Sequence, residues 1–243
     1  MVPAKPESRP DLHPPGGHHH RDVSGGWLRP VVFGAMDGLV TNVSLIAGVG
    51  GAHVQRHLVI LTGLAGLAAG AFSMAAGEYV SVSSQNELIG LEVNKERVEL
   101  ENNPLAEERE LAAMFRLRGV EAKVAREVAE QISRNPDHAL NVHVREELGV
   151  DPHELPSPLF AAGSSLVSFA VGAVIPLLPY LAGGSSLALA LGLAALAAVV
   201  GGGAVARLTG RPMWRGAGRQ LILGAVAAAL TFGIGHLVGG AVT

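Results

Sequence analysis

The sequence predicts an all-α polytopic membrane protein, with five transmembrane helices and a cytoplasmic helical module between the second and the third. Three observations predict it. Of 243 residues, 49% are hydrophobic and only 16% are charged, against about 25% charged in ordinary soluble domains. Five stretches reach the roughly 20 mostly apolar residues that a helix needs to cross a bilayer core. The segments 1–29 and 83–158, by contrast, are polar. Five such helices buried in a soluble protein of this length would leave little polar surface to cover them.

Residues 1–29 form a segment rich in Pro, Gly and His, without the apolar core of a cleaved signal peptide, so the sequence predicts that it is retained. Its His18, His19 and His20 have no fixed ligand geometry, and no metal role is assigned to them. The first two spans, residues 31–49 and 58–82, make up a first membrane portion over 30–82. The other three, residues 159–181, 187–206 and 221–242, make up a second over 159–243. Pro176 and Pro179 should kink the third span, because proline has no N–H and clashes with the preceding turn. Gly34 with Gly38, Gly66 with Gly70 and Gly235 with Gly239 recur at the four-residue spacing that lets helices approach closely, within one subunit or between two.

An odd number of spans puts the termini on opposite sides, and basic residues decide which is which. Lys5, Arg9, Arg21 and Arg29 precede the first span, and Arg207, Arg211, Arg215 and Arg219 fill the connection between the fourth and fifth. The connection after the first span carries only Arg56, and neither the 183–186 connection nor the carboxyl terminus carries any Lys or Arg. The amino terminus and residues 83–158 are therefore expected in the cytoplasm, and the carboxyl terminus outside.

Composition also excludes functions. A net charge of -3 and the absence of a basic stripe with interleaved aromatics argue against nucleic acid. Without cysteine, any metal chemistry must use carboxylate, imidazole or thioether ligands. There is neither a nucleophile motif of the Gly-x-Ser-x-Gly type nor a phosphate loop, so the sequence predicts no enzyme, no nucleotide and no resident cofactor.

A carboxylate inside the bilayer costs at least about 2.5 kcal/mol and needs a reason. Asp37 lies in the first span about two turns from its cytoplasmic end, and Glu78 near the cytoplasmic end of the second. Met74 stands four residues before Glu78, on the same helical face. Two hard oxygen ligands and one soft sulfur suit a borderline ion such as ferrous iron better than magnesium or calcium. The plain alternatives are packing for Met74 and snorkelling for Glu78.

The module, residues 83–158, reads as helices with marked boundaries. The second span should run on unbroken to about residue 100; Asn103 and Pro104 then start a helix that Gly119 ends. A further helix covers about 120–135 and is stopped by Pro136, and a short one ends near Gly149. Sixteen acidic residues against nine basic ones leave the module at -7. Glu96 with Glu99, and Glu107 with Glu110, are spaced by three, so each pair shares a helical face on which two carboxylates can hold one cation. A solvated helix face is the plain alternative.

The first span reads FGAMDGLVTNVSLIAGVGGA, the second GLAGLAAGAFSMAAGEYVSVSSQNE, and the third contains SFAVGAVIPLLPYL. On these motifs the chain resembles the vacuolar iron transporter family over nearly all of residues 27–243. The resemblance implies a homodimer of five-span subunits that exchanges ferrous iron or related divalent ions for protons, and manganese is the second expected substrate. It also implies a cytoplasmic helical module that binds the metal before transport. Residue by residue, Asp37 and Met74 match the path, and Glu96, Glu99, Glu107, Glu110 and Glu147 match the glutamates of the module. Where the family places two methionines, this sequence has His143 and Val144, a departure expected to alter metal preference. A chain this rich in Gly and Ala looks bacterial, which points to efflux across the cell membrane. The rival reading from another class is a membrane-anchored metal sensor or scaffold, in which the spans only anchor the acidic module.

Overall fold

The computed structural model describes residues 28–52 and 54–242, which are all helix, turn and loop without a strand. The histidines at 18–20 and the basic residues Lys5, Arg9 and Arg21 lie outside the described residues. The helices are α1 (Leu28–Gly51), α2 (Arg56–Asn102), α3 (Pro104–Leu117), α4 (Ala122–Ser133), α5 (Pro136–Glu147), α6 (Pro158–Val174), α7 (Leu178–Leu181), α8 (Leu187–Leu208) and α9 (Met213–Val242). A single 3-10 turn, Ile175–Leu177, joins α6 to α7.

Five helical segments are long and apolar enough to cross a membrane: α1, α2, the α6–α7 unit, α8 and α9. Helix α1 is the hub, packing against α2, α6, α8 and α9. Small residues make these contacts possible. A Cβ at Gly34 or Gly38 would collide with Ser168 or with the Phe169 carbonyl of α6, and one at Gly235 with the Gly48 carbonyl of α1. Gly66 and Gly70 similarly receive Leu45 and the Phe169 ring. All three predicted glycine pairs therefore serve packing within the chain.

The third span breaks where its prolines stand. Pro176 has no N–H to give the preceding turn, and in that turn Ala173 accepts a 2.5 Å hydrogen bond from the Asn42 Nδ2 of α1. At the far end, Arg56 donates to the Tyr180 carbonyl through Nε at 2.9 Å and Nη2 at 2.6 Å. This guanidinium satisfies a carbonyl in the last turn of α7, which accounts for the one basic residue on that connection.

Helix α9 begins eight residues earlier than the apolar stretch predicts, so Arg215 and Arg219 lie on its first two turns rather than in the connection, and Arg207 closes α8. Hydropathy locates bilayer-length stretches, and arginine is a good helix former, so the helix extends into polar sequence that the apolar window leaves out. The stop before it is a glycine cap, with Gly210 at φ 70° and the Arg211 N–H on the Ala206 carbonyl.

Helix α2 has 47 residues, about 70 Å at 1.5 Å per residue. Only its apolar first half can lie in a bilayer about 30 Å thick; the charged half beyond residue 82 projects from it and carries α3, α4 and α5. Leu111, Ala112 and Ala129 form the core between these short helices, joined by Phe115, Ile132 and Val142. Gly119 ends α3 as predicted, at φ 91°, whereas α4 stops at Ser133, short of the expected 135, and Asn135 instead caps α5, its side chain accepting from the Asp137 and His138 N–H groups. At Asn103 the position is as predicted but the bond is not, because its side chain caps nothing.

Candidate metal centre

Three helices bring acidic groups to one point beside α2. Glu96 projects from the charged half of α2, Glu107 from the first turn of α3, and His143 and Glu147 from successive turns of α5. Asn135 positions the last two by fixing the start of α5. Ion pairs between Arg118 and Glu146 and between Arg145 and Asp151 tie its far end to α3 and to the connection toward α6. The Asn86 Nδ2 on the Pro156 carbonyl, at 3.0 Å, fastens that connection to α2.

His143 is fully buried at the centre. Its Nδ1 lies 3.0 Å from Glu96 Oε1, 3.2 Å from Glu147 Oε1 and 3.9 Å from Glu107 Oε2. Two groups of ligand atoms lie within 4.8 Å of one another, Glu96–His143–Glu147 and Glu96–Glu99–Glu107, with Glu96 common to both. Beside them is a hollow of about 50 Å³, lined by Glu92, Lys95, Glu96, Glu99 and Glu147 together with Val144 and Leu148.

The electrostatics are those of a site short of positive charge. Glu96 and Glu107 are each only 8% exposed, and burying a carboxylate disfavours its charged form. Burial first, and then the neighbouring Glu147, Glu107 and Glu99, push the Glu96 carboxyl up to about 7, with His143 opposing them. Burial and Glu110 likewise raise Glu107. His143 Nε2 is buried without a hydrogen-bond partner among the described residues, and Glu96 Oε1 is buried with no hydrogen bond there beyond its ion-pair contact with His143 Nδ1. Such orphaned groups are costly unless something else satisfies them. A divalent cation fits here chemically: it would take oxygen and imidazole nitrogen ligands while relieving the repulsion among the carboxylates.

The predicted residues divide into two sets. Glu96, Glu99, Glu107, His143 and Glu147 come together, whereas Glu110 is exposed at the edge and belongs to neither close group. The membrane set is not assembled in this way. Asp37 is exposed on α1, with only a long 3.5 Å hydrogen bond from Thr41. Met74 packs against the cluster of Ala71, Phe169 and Ala173, and Glu78 is half-buried on α2.

Sequence reasoning missed Asn42, which is fully buried in the first span, and Glu92 and Lys95, which line the hollow. An amide inside an apolar span was the available signal for the first. The four-residue step from Glu92 to Glu96 was the signal for the second.

Comparison with known proteins places this architecture. The model of the VIT family matches residues 28–236. The chain is 38% identical to the vacuolar iron transporter of Acanthamoeba castellanii over 229 residues, covering 91% of this chain and 83% of the relative. It is 32% identical to vacuolar iron transporter 1 of Oryza sativa subsp. japonica, covering 91% and 90%. A third relative, vacuolar iron transporter homolog 1 of the same rice, is 35% identical, covering 92% and 79%.

Proposed function

We propose, from the premise that this chain belongs to the VIT family, that it transports divalent transition metal across a membrane in exchange for protons. It is a transporter rather than an enzyme. Ferrous iron is the first substrate, as the relatives' names suggest, and manganese the second. The observation that carries the reading is the convergence of Glu96, Glu99, Glu107, His143 and Glu147 on a helix that runs without a break into the membrane.

In this reading, residues 83–158 form a cytoplasmic module that collects metal. Helix α2 leads from it toward Glu78, Met74 and Asp37. Metal and protons compete for the same carboxylates, because binding requires the ionised form. Protonation of Asp37 from the far side releases the metal and returns a proton. His143, an imidazole, adds a borderline ligand that widens the choice among transition metals.

The arginines at the end of α8 and the start of α9 support a cytoplasmic position for that end of the bundle, the amino terminus and the module, with the carboxyl terminus outside. The membrane is the cell membrane, and transport there is efflux. An exposed Asp37 is too costly against lipid, so a second copy is expected to cover that face of α1 in a homodimer.

Purified protein in liposomes loaded with a metal-sensitive dye tests the reading, with ferrous iron, manganese, cobalt and zinc compared under an imposed pH gradient. Metal entry that follows the gradient supports transport. Tight binding without flux would leave the sensor or scaffold reading in its place.

A further inference from the structure

A cleft of about 500 Å³ opens between α1, α8 and α9, within the roughly 300–1,000 Å³ of built ligand sites. Every lining side chain is apolar, among them Val43, Ala47, Leu191, Ala198, Leu221 and Phe232. Such a lining offers nothing to a metal ion or a proton. Its three helices are all bilayer-length, so the medium at its mouth is hydrocarbon.

On α9 the lining positions 221, 225, 228 and 232 follow one face, and Trp214, seven residues before Leu221, falls on that same face two turns nearer the helix start. Trp214 is 71% exposed, and the Arg215 guanidinium lies over its ring, 5.1 Å from the centroid. Arg207, Arg211 and Arg219 are exposed at the same end of the bundle, and none of the four arginines is in an ion pair with a described residue. An amphipathic indole at the bilayer boundary beside uncompensated guanidiniums suits a phosphodiester, and the cleft below suits an acyl chain.

We infer that an anionic phospholipid binds here, its phosphate at Arg211 and Arg215 and one acyl chain in the cleft between α1, α8 and α9. The site is separate from the metal centre, and metal binding by the acidic module should not depend on it.

The test follows thermal unfolding of the full chain in neutral detergent during titration with phosphatidylglycerol, with phosphatidylcholine of the same chains, or with inorganic phosphate. Phosphatidylglycerol should raise the midpoint at concentrations at least fivefold lower than phosphatidylcholine, and phosphate alone should do nothing. Arg211→Gln with Arg215→Gln should remove that preference. Gly224→Leu should weaken both lipids, because it fills the cleft from a position where an added Cβ meets only Val40 Cγ2 at 3.9 Å. If the arginine variant does not fold, Gly224→Leu carries the test with the charges intact. Equal response to the two lipids, full stabilisation by phosphate, or unchanged lipid response in Gly224→Leu would each overturn the proposal. So would a stability loss in lipid-free Arg211→Gln/Arg215→Gln that neutralising the acidic module reverses, since the arginines would then be serving that module.

Discussion

The module and the membrane bundle of this protein both place carboxylates where they are costly, but they finish the task differently. In the module, Glu96, Glu107 and His143 are buried together and held by a capped helix and two ion pairs, so the ligand atoms stand within a few ångströms of one another in a single chain. In the bundle, Asp37 faces outward from α1 with one long hydrogen bond, while Met74 packs into an apolar cluster. The difference teaches that binding and passage are separable. Within one chain the module brings together carboxylates and an imidazole that could share a cation, whereas Asp37 is left exposed on α1.

The largest effect expected from this contrast is on Asp37→Asn. Metal flux into liposomes should fall to the level of empty vesicles, while calorimetric titration of the purified chain finds the module's affinity unchanged. Loss of binding together with flux would erase the distinction between the two regions. Next is Glu96→Gln with Glu99→Gln, which removes charge from both close groups while the fold stays intact. Affinity for ferrous iron or a cobalt surrogate should drop at least about tenfold, or about 1.4 kcal/mol, and flux should saturate at correspondingly higher metal.

The pH dependence is a smaller effect with a definite sign. Glu96 must be ionised to bind metal, and its carboxyl is pushed up to about 7. Below that pH, binding must displace a proton, so affinity should fall by up to about tenfold per pH unit and titrations should release a proton. For the metal-free protein the linkage has the opposite sign. The protonated form favours the fold, so this contribution is present below the ordinary carboxyl range and is lost as pH rises through about 7. Thermal midpoints of the metal-free chain should decline over that window, and those of the metal-loaded chain should not. The smallest effect is on Asn42→Ala, which leaves the buried Ala173 carbonyl without its donor and should cost about 1 kcal/mol, seen as a lower unfolding midpoint with module affinity intact.

How far these features could be read in advance depended on whether their cause was local. The five spans and the continuity of α2 followed from apolar length and from the absence of proline between Arg56 and Asn103. The break at Pro176 followed from a missing N–H. What escaped were relations across the fold. Arg56 could be read as an exception to the charge rule but not as the donor to Tyr180, 124 residues away. The spacing of Glu107 and Glu110 treats them alike, yet the packing of α3 buries the first and leaves the second at the edge. Asn42 looked like one polar residue in an apolar span, and its partner lies on a helix 131 residues further on. The early start of α9 escaped because helix propensity, not hydropathy, sets it.

The most direct test of exchange between metal and protons is the luminal pH of liposomes that hold the purified protein and a pH-sensitive dye, recorded as ferrous iron is added outside. The lumen should become more alkaline as metal enters, and Asp37→Asn should give neither change. Metal entry at constant luminal pH, with no imposed gradient and no compensating leak, would contradict that exchange.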